Sequence, residues 1–154
     1  MERANWDEYF MIMAKVIATR SKDQSTKVGA VIVGPDHEIR STGYNGMARG
    51  VNDDVAYRHQ RPEKYKWFEH AERNAIYNAA RMGAHLLNCK IYGTQIPCTD
   101  CSRAIIQAGL REVIVESLTV NERWIEDALR SQDMFHESGV LIREIGIVKP
   151  GDYL

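Results

Sequence analysis

Four side chains in two short stretches could do chemistry together. His70-Ala71-Glu72 offers an imidazole and a carboxylate, and Pro97-Cys98-Thr99-Asp100-Cys101 offers two thiols. One imidazole and two thiolates are soft-to-borderline donors that suit Zn²⁺. Three protein ligands leave the fourth tetrahedral position open for water, the arrangement of a catalytic rather than a structural zinc site. Glu72 follows His70 by two residues, close enough to reach that water without ligating the metal. Zinc can lower the pKa of bound water to about 7, and a nearby carboxylate can take its proton and pass it to a leaving amine. The combination suits hydrolysis at an amidine carbon, such as C4 of cytosine.

A structural zinc would need a fourth ligand, and Cys89, His59 and His85 are the candidates. Cys89 opens an apolar stretch and reads as a small buried hydrophobe, and His85 reads as a surface or packing histidine. Alone, C-x-x-C could be redox-active or structural, and H-x-E carries almost no information. Together and in this order they form H-x-E…P-C-x-x-C, the known signature of zinc deaminases with the Glu as general acid/base. The reaction class is therefore recognised from a motif.

The elements around the motifs must deliver them to one point. Asp7 and Glu8, then Tyr9, Ile12, Met13, Val16 and Ile17 at helical spacing, predict a helix over residues 5–20. Val28 to Val33 and Ile39 to Tyr44, separated by Gly34-Pro35-Asp36, predict a hairpin. Residues 44–69 show no sustained period and read as a long functional loop. Its aromatics, Tyr57, Tyr65, Trp67 and Phe68, either pack the loop onto the sheet or stack on a base. Ala71 to Met82 predicts a helix stopped by Gly83. A strand over Cys89–Gln95, a helix over Thr99–Ala108 ended by Gly109, and a strand over Arg111–Glu116 follow. Asn121 is expected to cap a helix running to about His136, with Gly139 to Arg143 as the last strand. Each half of the metal motif then falls at a helix start, where backbone N–H groups favour thiolates. Alternating strands and helices predict an α/β fold, a three-layer α/β/α arrangement with a mixed, about five-stranded sheet.

Bulk properties fit one domain over residues 1–154. Apolar residues make up 44% and charged residues 27%, with a formal net charge of −1. That balance lacks the basic excess of a protein gripping long nucleic acid. No apolar run reaches the roughly 20 residues of a membrane span, and the N-terminus lacks the pattern of a secretion signal. A cytoplasmic protein is expected. Three cysteines make a poor disulfide scaffold, so metal binding is the better use for them.

Over roughly residues 5–145 the sequence resembles the deoxycytidylate (dCMP) deaminases of the cytidine deaminase-like superfamily. The resemblance rests on Ser21-Lys22-Asp23, Val28-Gly29-Ala30-Val31-Ile32-Val33, Gly43-Tyr44-Asn45-Gly46 and Asp53-Asp54, together with His70-Ala71-Glu72-Arg73-Asn74-Ala75-Ile76 and the Cys98/Cys101 motif. The Gly-Tyr-Asn-Gly element with its paired aspartates points to dCMP rather than to another base. Compact size and a short C-terminal tail look like phage members. Ala48 stands where the family usually has proline.

The resemblance implies zinc on His70, Cys98 and Cys101, one per subunit, with Glu72 as proton shuttle. It implies dCMP as substrate, with dUMP supplied for dTMP synthesis. Asn45 would meet the deoxyribose 3′-hydroxyl, and Ala71 and Ser25 are counted with it as substrate-binding. It further implies a homohexamer activated by dCTP and inhibited by dTTP, with Mg²⁺ accompanying the triphosphate. The effector would lie near Gly43, Tyr44 and Gly46, with Arg49, Asp53 and Arg81 nearby.

Read from the residues alone, the same segments leave more open. Gly43 and Gly46 around Asn45 suit a tight turn where backbone amides meet a ligand. Lys22, Lys27, Arg49 and Arg123 could hold a phosphate or be solvated surface charges. Arg81 suits a subunit-interface or effector role, or a surface pair. Asp53-Asp54 could bind a metal, fix the loop or cap a turn. The rival activities are deamination of tRNA adenosine or of free cytidine or cytosine, and a non-catalytic zinc-containing binding protein is the reading outside catalysis.

Overall fold

The computed structural model describes residues 2–154. Its centre is a mixed five-stranded sheet in the order β2-β1-β5-β6-β7. The strands are β1 (Gly29–Val33), β2 (Ile39–Tyr44), β5 (Lys90–Gly93), β6 (Glu112–Val115) and β7 (Leu141–Glu144). β1 runs antiparallel to both β2 and β5, whereas β5, β6 and β7 are mutually parallel. Parallel neighbours need crossovers. Helix α4 (Thr99–Gln107) links β5 to β6, and α5 (Ile125–Ser138) links β6 to β7.

Both faces of the sheet are covered, and the strand pattern shows why. All five residues of β1 are buried. Ala30 and Ile32 join one core with Ala71, Ala75, Ile105 and Phe135, from the helices on that side. Val31 and Val33 point the other way and pack with Phe10, Met11 and Ala14 of α1 (Trp6–Ala18). A strand buried on both faces reads as a continuous apolar run, because neither side needs polar residues.

Helix α1 differs from its expected face. Tyr9 and Val16 are exposed, and the buried residues are Phe10, Met11, Ile12, Ala14 and Ala18. The small residues decide the orientation. A Cβ on Gly29 would stand 1.9 Å from the Ala14 carbonyl oxygen, so the helix backbone lies almost on the strand. Asn5 caps this helix reciprocally with Glu8.

Residues 44–69 contain short structure rather than one open loop. β3 (Gly46–Met47) pairs with β4 (Phe68–Glu69), and a 3₁₀ turn (Ala56–His59) and α2 (Lys64–Trp67) lie between them. Phe68 is buried, Tyr57 and Tyr65 are exposed, and Arg58 stacks 3.9 Å over the Trp67 ring. Pairing of β4 fixes the chain immediately before His70.

Other bounds also shift. Gly139 ends α5 with φ 78° rather than opening β7. Asn121 makes no side-chain cap, because a 3₁₀ turn (Glu122–Trp124) precedes α5. Helix α3 (Ala71–Met82) matches its expected span and ends at Gly83 in the left-handed region. No helix of the described residues is long and apolar enough to cross a membrane.

Candidate active site

The two halves of the motif meet. His70 is the N-cap of α3 and Cys98 the N-cap of α4, and Cys101 lies in the first turn of α4. His70 Nδ1 stands 3.3 Å from Cys98 Sγ and 3.5 Å from Cys101 Sγ. The three ligand atoms lie within 4.8 Å of one another, and no other such cluster exists among the described residues. Tetrahedral zinc with typical Zn–S and Zn–N bonds separates its ligand atoms by about 3.5–3.8 Å, so this donor set fits the ion. None of the fourth-ligand candidates, His59, His85 and Cys89, joins the cluster. His59 Nε2 contacts the Asp53 carbonyl at 2.6 Å, and the Cys89 thiol is buried near the His85 carbonyl.

The electrostatics favour metal binding. The Cys98 thiol is pushed down to about 4, first by its hydrogen bond with Cys101 and then by His70. The same hydrogen bond and burial push the Cys101 thiol up. Glu72 is 4% exposed, and burial pushes its carboxyl above the ordinary range. Arg73 bridges Glu69 at 2.5 Å and Asp100 at 3.4 Å, tying the starts of α3 and α4 together.

A cavity of about 420 Å³ opens over this cluster. Thr94 to Cys98 and Glu116 to Ser117 line it, so it sits at the carboxyl ends of the parallel strands β5 and β6. That is the usual ligand position in a parallel α/β sheet. Thr94 and Gln95, expected in a strand, are instead part of this wall because β5 stops at Gly93.

Of the residues singled out from the sequence, Cys101 is fully buried, whereas His70, Ala71, Glu72, Cys98, Asn45, Arg123 and the loop aromatics Tyr65 and Phe68 line the cavity. Lys22 and Lys27 do not; Lys22 pairs with Asp53 at 2.8 Å on the surface, and Lys27 is exposed. Ser25 is exposed and lies behind the wall, where its Oγ meets Lys64 Nζ at 2.8 Å. Asn45 is fully engaged as a donor: Nδ2 reaches Asp23 and the Thr26 carbonyl, and Oδ1 accepts from Val28 N. Only a lone pair of Oδ1 is left for a ligand.

The proposed effector residues lie outside this cavity. Gly43 is in β2 and Gly46 in β3, so the chain here is extended rather than tightly turned. Arg49 donates to Asn78 at 2.6 Å, and Arg81 is exposed on α3. Tyr44 is exposed, with its carbonyl accepting from Asn74.

Lys64, Arg61 and Asp127 are among the cavity residues that sequence reasoning missed. Lys64 is 7% exposed, and its ammonium meets Asp23 at 2.7 Å. Arg61 stands beside it. Asp127 of α5 binds Thr99 N and Oγ at 3.1 and 2.9 Å. None carries a local signal, because each acts on a partner distant in the chain.

Comparison with known proteins agrees with the geometry. Residues 4–117 match the family described as the cytidine and deoxycytidylate deaminase zinc-binding region. The chain is 38% identical over 144 residues to deoxycytidylate deaminase of Homo sapiens, covering 90% of this chain and 79% of that one. It is 32% identical over 126 residues to deoxycytidylate deaminase of Mycobacterium phage D29, covering 74% and 96%. The solved dCMP deaminase of cyanophage S-TIM5, in complex with dCMP and dUMP, superposes with a TM-score of 0.75 at 26% identity, covering 94% of this chain and all of that one. With the paired H-x-E and P-C-x-x-C motifs closing on one three-donor cluster, the chain belongs to the zinc-dependent deoxycytidylate deaminase family.

Proposed function

We propose that this chain hydrolyses dCMP to dUMP and ammonia, supplying dUMP for dTMP synthesis. One observation carries the reading: a buried Glu72 and two members of the three-donor zinc cluster, His70 and Cys98, line the same cavity as Asn45 and two arginines. When bound, zinc supplies a Lewis acid that makes water at its open corner a nucleophile near neutral pH. Glu72 takes one proton of the water as the C4–O bond forms and gives it to ring N3, then carries the proton of the new hydroxyl to the amino group as the C4–N bond breaks, so that ammonia leaves and C4 keeps a carbonyl oxygen. The raised Glu72 pKa suits a group that must both take and give a proton. The free lone pair of Asn45 Oδ1 suits a sugar hydroxyl as donor. Among the described residues, Arg61 and Arg123 at the cavity make no ion pair, which leaves both for the 5′-phosphate.

Regulation is the finer part of the reading. Activation by dCTP, inhibition by dTTP with Mg²⁺ and a homohexameric assembly are supported by the family resemblance. Tyr44, Arg49, Asp53 and Arg81 lie off the catalytic cavity, as a separate effector site requires. A panel of dCMP, CMP, dCTP, deoxycytidine and tRNA, followed by absorbance with and without dCTP and dTTP, tests both parts. Turnover of dCMP above the others is expected, and none at all overturns the assignment.

A further inference from the structure

Cys98 is the metal-cluster residue at the junction between β5 and α4, and its carbonyl accepts from the backbone N and the Oγ of Ser102, both at 2.8 Å. It ends the 94–98 segment, whereas Cys101 is buried within the first turn of α4. Its neighbours on both sides are tied to α5. The Pro97 carbonyl accepts from Ser131 Oγ at 2.9 Å, and Ser131 is fully buried. Thr99 donates to Asp127 from its backbone N at 3.1 Å and its hydroxyl at 2.9 Å. Asp127 and Ser131 are four residues apart, one turn along the same face of α5.

We propose that Asp127 and Ser131 are positioning residues for zinc, a two-point clamp from α5 that fixes the Cys98 sulfur against His70 Nδ1. The physical reason is the freedom they remove. The first turn of α4 holds the Cys98 carbonyl through Ser102, and the clamp adds a hold on the Pro97 carbonyl before Cys98 and on the Thr99 N–H after it. The Asp127 carboxylate also takes up the first free N–H of α4, so the start of that helix stays formed. Cys98 Sγ in turn accepts from Cys101 N at 3.5 Å, which couples both sulfurs to the same turn. α5 reaches the substrate side too, since its Asp127 and Ala128 line the cavity together with Arg123 and Trp124 of the 3₁₀ turn that leads into it. Metal ligands and cavity wall are thereby registered to one helix. The inference rests on the zinc site and not on which nucleotide is turned over.

The test uses the zinc-loaded full chain and its Asp127→Ala, Asp127→Asn and Ser131→Ala variants, with the exposed Leu129→Ala as a control on the same helix. Zinc release to a colorimetric chelator is timed under native conditions, and the visible spectrum of the Co²⁺-substituted protein reports ligand geometry. Loss of a group that orients a metal ligand typically costs about 10–100-fold in metal affinity or activity. Asp127→Ala is expected to release zinc faster on that scale with altered cobalt bands, while Asp127→Asn, which keeps one oxygen acceptor, recovers most of the difference. Ser131→Ala is expected to lie between, and Leu129→Ala to match the unmodified chain. Should Asp127→Ala fail to fold, Ser131→Ala carries the test, since Asp127→Asn is expected to stay near the unmodified chain. Release rates and cobalt bands unchanged in the folded variants overturn the proposal, even if the melting temperature falls. Failure of the chain to deaminate dCMP would strike the substrate reading and leave zinc release fully readable.

Discussion

Gly43 lies against the start of helix α3 so closely that a Cβ there would stand 2.4 Å from the carbonyl oxygen of Ala71 and 2.4 Å from the backbone N of Ala75. Ala71 separates His70 from Glu72, so this contact sets the height of the metal ligand and the proton shuttle above the sheet. Gly43→Ala must push the first turn of α3 outward. A stability loss of about 1–3 kcal/mol or more is expected from the overpacking, together with reduced zinc content in the folded protein. Gly29→Ala is the control, because it forces α1 away on the opposite face. It should lower the melting temperature while the folded fraction keeps its zinc. Equal melting temperatures for Gly43→Ala and the unmodified chain would contradict the packing account.

Glu72→Gln separates metal binding from proton transfer. The amide keeps the shape of the side chain and removes both its basicity and the burial cost of its charge. Zinc content should be unchanged and the melting temperature no lower. Deamination should fall by at least about 10²–10⁴-fold, the usual contribution of a positioned acid–base group. Metal analysis and ammonia release on one preparation check this, and substantial residual turnover would remove Glu72 from the mechanism.

Much of this was legible in the sequence because it is local. The His70/Glu72 and Cys98/Cys101 spacings, the glycines after α3 and α4, and the apolar run of β1 each report on a few neighbouring residues. What stayed hidden depends on close approach across the fold. The buried face of α1 is chosen by Gly29 under Ala14, which no periodicity within the helix reveals. Gly43 suggested a turn for a ligand, and the structure gives it a packing reason. Lys64, in the polar stretch Lys64-Tyr65-Lys66, reads as a surface charge until Asp23 is seen opposite it. Asp127 lies in the helix expected to run to about His136, and only the fold brings it to Thr99.

The Lys64–Asp23 pair predicts an asymmetric mutational response. Both side chains are nearly excluded from solvent, and Asp23 also accepts from the backbone N–H groups of Ser25 and Thr26. Lys64→Met leaves that carboxylate buried with its cation gone, which should cost about 3–5 kcal/mol. Adding Asp23→Asn to Lys64→Met should recover part of the loss. Urea denaturation of the single and double variants measures the coupling, and additive losses would show that the two groups do not act as a unit.

A second charged network predicts how acid acts on the fold. Arg143 bonds both oxygens of Asp7 at 2.7 and 2.8 Å and Glu112 at 2.5 Å, and Tyr92 donates to Asp7 at 2.7 Å. The Arg143 guanidinium holds the Asp7 carboxyl below the ordinary carboxylate range. Burial raises Glu112, but Arg143 and Lys90 outweigh it and leave that carboxyl lowered as well. A depressed folded pKa gives stability that is fully present above the unfolded value, about 4, and is lost as pH falls through the folded value. Urea unfolding from pH 7 downward should therefore show a declining limb below about pH 4. Arg143→Met should be less stable at pH 7, and the gap should close toward the acid end. A gap constant with pH would mean that Arg143 contributes by packing alone.

The last prediction concerns the phosphate. A nucleotide differs from its nucleoside by a dianion, and a cavity that selects the former must offer a cation not already neutralised. Lys64 lines the cavity but is neutralised by Asp23. Arg61 and Arg123 line it without an ion pair among the described residues, Arg61 stacked 6.0 Å from Tyr65 and Arg123 5.3 Å from Trp124. Hydrogen bonds to a charged group are worth about 1.5–3 kcal/mol, which is roughly a 10–100-fold change in binding. Arg61→Ala or Arg123→Ala, whichever holds the phosphate, should raise the KM for dCMP on that scale while its kcat changes little. Turnover of deoxycytidine, which has no phosphate to lose, should be unaffected by the same substitution. Lys22 and Lys27 stand outside the cavity and supply the comparison: their alanine variants should leave the KM within about twofold, a change below 0.5 kcal/mol. If a lysine variant weakens dCMP and both arginine variants do not, the phosphate is held from the loop before β1 and the cavity reaches further than the structure shows.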